Sequence, residues 1–192
     1  MQRVLAYRKD IMNDIDSEAI IAFWREAGPN RWFAADAAFD QALRDQFEEA
    51  HLAAARGTLS SWEDSAKGAL ALLLLTDQFP RNLYRKSAHA FATDTMAREV
   101  AERALARGFD EEIEADLRAF FYLPFEHHEE AGSQARAVAL FEKLGDKLGL
   151  DYARLHADLI TRFGRFPHRN AVLGRVSTPE EIAYLAKGGF AG

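Results

Sequence analysis

The run of residues from Ala69 to Leu75 constrains the fold most, because it would be apolar on every side of a helix. A helix that is hydrophobic all round has to be buried, so the rest of the chain must surround it. The string Asp77-Gln78-Phe79-Pro80-Arg81-Asn82 follows closely. Because proline lacks a backbone N–H and clashes with the preceding turn, the sequence predicts that this central helix ends before Pro80.

Helix start and stop signals recur along the rest of the chain. Asp16 or Ser17 is suited to cap a first helix, which Gly28-Pro29 would end. Near the C-terminus, Thr178-Pro179-Glu180-Glu181 has the pattern of a capping box with proline in the first turn. Between them, a helix is predicted to begin at Asp110 and to run to Leu123.

Strand signals are poor, since no stretch alternates apolar and polar residues convincingly over five or more positions. The sequence therefore predicts an all-α fold of roughly seven to nine helices. Short connections favour antiparallel neighbours, and stacked helical hairpins would form an irregular tetratricopeptide-like array. We expect one domain over residues 1–192.

Composition excludes several classes of protein. The net charge is −6, which disfavours nonspecific binding to nucleic acid, and the absence of cysteine excludes disulfides, thiolate zinc sites and cysteine nucleophiles. No apolar segment in the N-terminal region suits a signal peptide, and the longest apolar run is far shorter than a membrane span of about 20 residues. We expect a cytoplasmic protein without a nucleic-acid or membrane partner.

Two stretches of the chain resemble each other. Residues 77–82 and 162–170 each place Phe-Pro after an apolar helical run and then present arginine and asparagine within three residues. Arginine is a rigid planar donor, and asparagine both donates and accepts, so the pair suits a carboxylate or phosphate. Asp77 either holds Arg81 or Arg169 ready for an anion through a bidentate pair, or ties helix ends together.

Further short strings complete a pattern that is typical of one family. They are Phe23-Trp24, Arg31-Trp32-Phe33, Phe39-Asp40 and Tyr122-Leu123-Pro124-Phe125-Glu126-His127. Together with the two Phe-Pro strings, they resemble a bacterial family known as domain of unknown function nine hundred and twenty-four, over roughly residues 19–187. The resemblance implies an all-helical, tetratricopeptide-like fold and brings no established activity, substrate or cofactor. Arg25 and His128 depart from the family pattern, which has an aromatic and a small hydroxyl residue there.

The string Glu126-His127-His128-Glu129-Glu130 is the densest group of potential metal ligands. Imidazole and carboxylate suit zinc, manganese or iron, and His156 or His168 could join them from later helices. Against a metal, HExxH does not occur, and neighbouring histidines on a helix point about 100° apart. We predict no metal and no cofactor.

The leading hypothesis is a helical-repeat protein that binds a small anionic ligand or an acidic peptide in a polar pocket. Its predicted ligand-binding residues are Asp77, Arg81, Asn82, Glu126, His127, Arg165, His168, Arg169 and Asn170. A metal-assisted hydrolase using Glu126 and His127 with His156 or His168 is one alternative. A scaffold for protein partners is another, and the sequence leaves enzymatic activity and the oligomeric state open.

Overall fold

Helices form all the regular structure of residues 16–191, which are the residues that the computed structural model describes. The α-helices are α1 (Ser17–Ala27), α2 (Pro29–Trp32), α3 (Ala37–Ala55), α4 (Ala66–Leu73), α5 (Phe79–Leu83), α6 (Asp94–Ala106), α7 (Ala115–Arg118), α8 (Leu123–Glu126), α9 (Ala131–Leu144), α10 (Lys147–Phe163) and α11 (Pro179–Ala186). A π-turn (Leu74–Gln78) and several 3-10 turns join them. Residues 16–191 are mainly helical and contain no strand, which confirms the predicted all-α class.

Side-chain caps fix the ends of several helices, as the sequence predicts. The Asp16 carboxylate accepts from the Glu18 backbone N–H at 3.0 Å and starts α1. At α11, Thr178 and Glu181 form both hydrogen bonds of the capping box. The predicted absence of a signal peptide concerns a segment, residues 1–15, that lies outside the described residues.

The apolar helix α4 lies at the centre of the core and contacts α1 and α6. Leu70, Leu73, Leu74 and Leu75 are completely buried in and just after it. A helix that is apolar on every side would expose apolar surface to water anywhere but in the core, and this exposure is unfavourable. The central position of α4 therefore follows from the sequence. None of the helices in residues 16–191 has the length and apolar character that crossing a bilayer requires.

The apolar α-helix ends before Pro80, at Leu73, as the sequence predicts, but the chain stays helical beyond it. Helix α4 passes into the π-turn and then into α5, with Pro80 in the first turn of α5. The carbonyls that a regular helix would have satisfied find side-chain donors instead: Leu75 O accepts from His51 at 2.8 Å and Thr76 O from Thr93 at 2.5 Å. Because these groups are satisfied, the helical path survives the proline.

The prediction of a continuous helix from Asp110 to Leu123 is wrong. This stretch divides into a 3-10 turn, the short α7 and a second 3-10 turn, with Ile113 in an extended conformation. The Asp110 carboxylate, instead of capping one long helix, accepts from the Tyr122 hydroxyl at 2.8 Å. Tertiary contacts have replaced the regular helix here. As a result, α8, which carries Glu126, starts as a separate short element at Leu123.

The C-terminal part of the chain has a small apolar cluster of its own. Helices α9 and α10 form an antiparallel hairpin, and α10 ends at Phe163 before Gly164, whose φ of 69° suits glycine. Leu159, Ile160 and Phe166 form the cluster, separately from the main core. Helix α11 packs over the 3-10 turn Pro167–Arg169.

Candidate functional site

The two Phe-Pro segments meet at one carboxylate, that of Asp94. Arg81 donates to both of its oxygens, at 3.0 and 3.1 Å, in the parallel geometry of a bidentate pair. Arg169 reaches the same carboxylate with one nitrogen at 3.3 Å. Two guanidinium groups from distant parts of the sequence therefore share a single anion.

Asp94 is positioned by the proline interruption. It is the first residue of α6, and the residue before it, Thr93, donates to the carbonyl of Thr76. That is the carbonyl four residues before Pro80, which the proline leaves without its usual donor. This bond holds the start of α6 beside α5, so that Asp94 faces Arg81.

Asp77 occupies the π-turn and is only 1% exposed. Its carboxylate accepts from the His127 ring at 2.9 and 3.0 Å and from the Gln78 amide at 2.5 Å, with Arg81 3.4 Å away. Burial raises the pKa of Asp77, but the charges of His127 and Arg81 and these hydrogen bonds bring it to about 2. The group is therefore an anion at neutral pH. Single π-helical turns occur often at functional sites.

His127 forms a carboxylate–imidazole pair with Asp77. Burial and the charge of Arg81 lower the pKa of His127 to about 4, against the opposing effect of Asp77. At neutral pH the ring is neutral and donates its Nδ1–H to Asp77, which leaves the acceptor lone pair on Nε2. The arrangement can accept a proton from a bound molecule.

The carboxyl group of Glu126 lies beside the imidazole of His156, with Oε1 3.1 Å from Nδ1. The same Nδ1 is 2.9 Å from the carbonyl of Tyr152, so it carries the proton. Burial and then the charge of Asp77 raise the pKa of Glu126 to about 8, and burial lowers that of His156 to about 4. Both groups are therefore mainly neutral at pH 7. Glu126 Oε2 is buried and has no hydrogen-bond partner in residues 16–191.

Arg169 lies between two aromatic rings. Its guanidinium carbon is 4.5 Å from the centroid of Phe91 and 4.6 Å from that of Phe166. Burial, and then the charge of Arg81, lower the pKa of Arg169 to about 10. Its Nε is buried without an acceptor in the described part of the chain. His168 stacks on Phe166 at 5.7 Å, and its Nδ1 is likewise buried and unpartnered there.

Comparison with known proteins identifies the family of this chain. Residues 20–189 match the family described as "Bacterial protein of unknown function (DUF924)". The chain belongs to this family. The structure of ATU0120, a protein of unknown function from Agrobacterium tumefaciens, is 51% identical, with a TM-score of 0.87 over 90% of this chain and 97% of that one. A search of curated proteins found no match.

In this family member, three of the predicted site residues are directed elsewhere. Asn82 donates to Asp40 of α3 at 2.8 Å. Arg165 donates to both oxygens of Glu181 at 2.7 and 2.9 Å, and Asn170 donates to Glu181 at 3.2 Å. These side chains tie helices to the core because a nearer carboxylate takes their hydrogen bonds. The two Phe-Pro segments are thus joined through the arginines at Asp94, while their other polar groups bond elsewhere.

The remaining predicted residues are brought close together. They are Asp77, Arg81, Glu126, His127, His168 and Arg169, and we call them, with Asp94 and His156, the central cluster. Asp94 was missed as a site residue because the sequence marks it only as the start of a helix. Within residues 16–191 no three His, Asp or Glu side chains are grouped so as to hold a metal ion.

The charges of the central cluster balance at neutral pH, but they are unevenly distributed. Asp77 and Asp94 are anionic, Arg81 and Arg169 are cationic, and the histidines and Glu126 are mainly neutral. Arg81 has close contacts with both carboxylates, whereas Arg169 has one long contact with Asp94. Of the two cations, Arg169 is therefore the one with more N–H donors unused in residues 16–191.

Proposed function

We propose that this protein binds a small anionic ligand at the central cluster, with Arg169 as the principal donor. One observation carries the proposal: within residues 16–191, the Arg169 side chain is 7% exposed, has a single 3.3 Å contact to a carboxylate and has a buried Nε–H without an acceptor. A buried charge needs compensation, and a carboxylate or phosphate would supply it through two parallel hydrogen bonds.

The exposure of the cluster supports a route for the ligand. The side chains of Arg81, Asp94 and His127 are 20%, 15% and 14% exposed, so they form the outer edge of the cluster. Those of Arg169 and His156 are each 7% exposed and lie deeper. An anion that enters past Arg81 would reach Arg169 by competing with the Asp94 carboxylate, to which both arginines donate.

An acidic peptide falls within this proposal, because a side-chain carboxylate offers the same acceptor oxygens. No specific observation favours the metal-assisted hydrolase or the protein scaffold. We also propose that the helical hairpins form a tetratricopeptide-like arrangement in a cytoplasmic protein, on the short connections and composition described above.

Isothermal titration calorimetry tests the proposal. The panel is acetate, succinate, pyruvate, inorganic phosphate and a short Glu-rich peptide. We expect heat from at least one probe with the wild type and a loss of affinity of about tenfold or more in Arg169→Ala, since a charge-assisted hydrogen bond is removed. Arg165→Ala is the matched control and should bind as the wild type does. Indistinguishable heats for the wild type and Arg169→Ala across the panel would overturn the proposal.

A further inference from the structure

Two pairs of a carboxyl group and an imidazole lie next to each other in the central cluster. In one, His127 is 2.9 Å from Asp77, and in the other, His156 is 3.1 Å from Glu126. The centroids of the two imidazole rings are 6.4 Å apart, with the rings edge to face. The pairs use the same chemical groups, but their hydrogen bonds differ.

The difference lies in how fully each carboxyl group is bonded. Both oxygens of Asp77 accept hydrogen bonds, which stabilises the anion. Glu126 has no such set of donors: Oε1 approaches His156, while Oε2 is buried with no partner in residues 16–191. A neutral carboxyl group would carry its proton on Oε2, as a donor with nothing to bind. The first pair is thus a proton acceptor through Nε2 of His127, and the second holds a proton to give.

We propose that the cluster catalyses proton transfer at the carbon next to the carbonyl group of a small 2-oxo carboxylate, with His127 as the base and Glu126 as the acid. The proposal rests on the proposed anion-binding function. Arg169 would hold the carboxylate of the substrate, and that carboxylate is attached directly to the carbonyl carbon where the reaction occurs. Anchor, base and acid are the three groups that this reaction needs.

The step balances without a further reactant. Nε2 of His127 takes a proton from C3 of the substrate, and the C–H electron pair becomes the new C2–C3 double bond. The π electrons of the carbonyl move to its oxygen, which takes the proton from Oε2 of Glu126. The products are the enol, an imidazolium and a carboxylate, and the reverse step restores the original groups. Exchange of the imidazolium proton with solvent before reversal leaves a solvent hydrogen on C3.

Proton NMR in D2O tests this step directly. We expect the wild type to speed the loss of the C3 proton signals of pyruvate or 2-oxobutyrate above the enzyme-free rate. His127→Gln should lower the catalysed rate by about a hundredfold, and the isosteric Glu126→Gln should also lower it strongly, since each removes a proton-transfer group. His128→Gln is the matched control, because His128 is bonded to Ser133 at 2.9 Å, away from Asp77, and it should keep the full rate.

The pH profile adds a readout that a purely structural role would not produce. The exchange rate should rise as His127 loses its proton near pH 4 and fall as Glu126 loses its own near pH 8. Pyruvate binding by calorimetry separates the two proposals. Binding without catalysed exchange would overturn this inference and leave anion binding intact, whereas absence of binding to every probe would overturn both. Exchange that is equally fast in His127→Gln, checked for folding by circular dichroism, would also overturn it.

Discussion

Arg165 and Arg169 lie in the same segment, yet their surroundings are opposite. Arg165 is on the surface side, where it makes two hydrogen bonds to Glu181 and one, at 2.8 Å, to the carbonyl of Val176. Arg169 is buried between two aromatic rings and has one long contact. The half-buried Arg165 makes three hydrogen bonds within residues 16–191, whereas the buried Arg169 makes a single long one there.

This difference separates a structural cation from a candidate binding group. Water can solvate whatever an exposed arginine leaves unbonded, so extra hydrogen bonds there serve to hold α11 in place. A buried arginine has no such substitute, and each unused donor lowers stability. A ligand that binds to Arg169 would explain why a buried arginine keeps unused donors.

Removal of the shared anion should produce the largest effect. Asp94→Ala leaves Arg81 and Arg169 side by side without their common carboxylate, and we expect a loss of about 3 kcal/mol in the free energy of unfolding. Urea denaturation measures it. Asp158→Ala, which removes the exposed partner of Arg162, is the control and should change stability by about 0.5 kcal/mol or less. Similar losses in both variants would show that the central cluster is no more sensitive than the surface.

Glu126→Gln should reveal the proton held in the interior. The pKa of Glu126 is raised to about 8, so its favourable contribution is complete below the ordinary pKa of 4.5 and is lost as the pH rises towards 8. Glutamine does not titrate, so its contribution to stability does not change with pH. Relative to the wild type, the variant should therefore gain about 2 kcal/mol in unfolding free energy between pH 6 and pH 7.5. Parallel stability curves for the two proteins over this range would contradict the raised pKa.

Methionine at each arginine tests the comparison itself. Arg169→Met leaves Asp94 paired with Arg81 and should change the unfolding free energy by about 1 kcal/mol or less, in either direction. Arg165→Met leaves the buried carboxylate of Glu181 without its main partner, so it should destabilise more than Arg169→Met does. Thermal denaturation of both variants decides the order. If Arg169→Met is the more damaging, Arg169 acts as a structural tie.

Arg162 should contribute least. Its side chain is 43% exposed, and its contacts to Asp158 and Glu180 are 3.6 and 4.0 Å long. We expect Arg162→Ala to alter the unfolding free energy by about 0.5 kcal/mol or less and to leave anion binding unchanged. Urea denaturation and calorimetry measure the two effects. A clear loss of binding would indicate that the ligand binds near α11 instead of at the central cluster.

Local signals were sufficient for helix caps but not for the helical path past Pro80, the interrupted stretch after Asp110 or the site. Caps such as Asp16 and Thr178 depend on residues within one turn, so the sequence predicts them well. The passage of the helical path through Pro80 depends on His51 and Thr93, which are remote in sequence. Nothing near Pro80 shows that its free carbonyls will find donors there.

The same limit applies to the polar groups of the two Phe-Pro segments. Asn82 and Arg81 are neighbours in sequence, as are Asn170 and Arg169, and the chemistry of each pair suits an anion equally well. What separates them is the nearest carboxylate in space: Asp40 for Asn82 and Glu181 for Asn170, against Asp94 for the arginines. Helix packing decides this, and no periodicity in the sequence reports it.

The separate C-terminal apolar cluster has a consequence for how the molecule opens. Leu159, Ile160 and Phe166 form an apolar cluster separate from the main core of residues 16–191, so we expect this part to open as a unit while α4 stays protected from hydrogen exchange. Phe166 forms one wall around Arg169, and His168 stacks on it. Such a sub-global opening would take His168 and Arg169 away from the central cluster and leave Asp77 and Arg81 in place. Ligand release would then be coupled to the stability of the C-terminal unit.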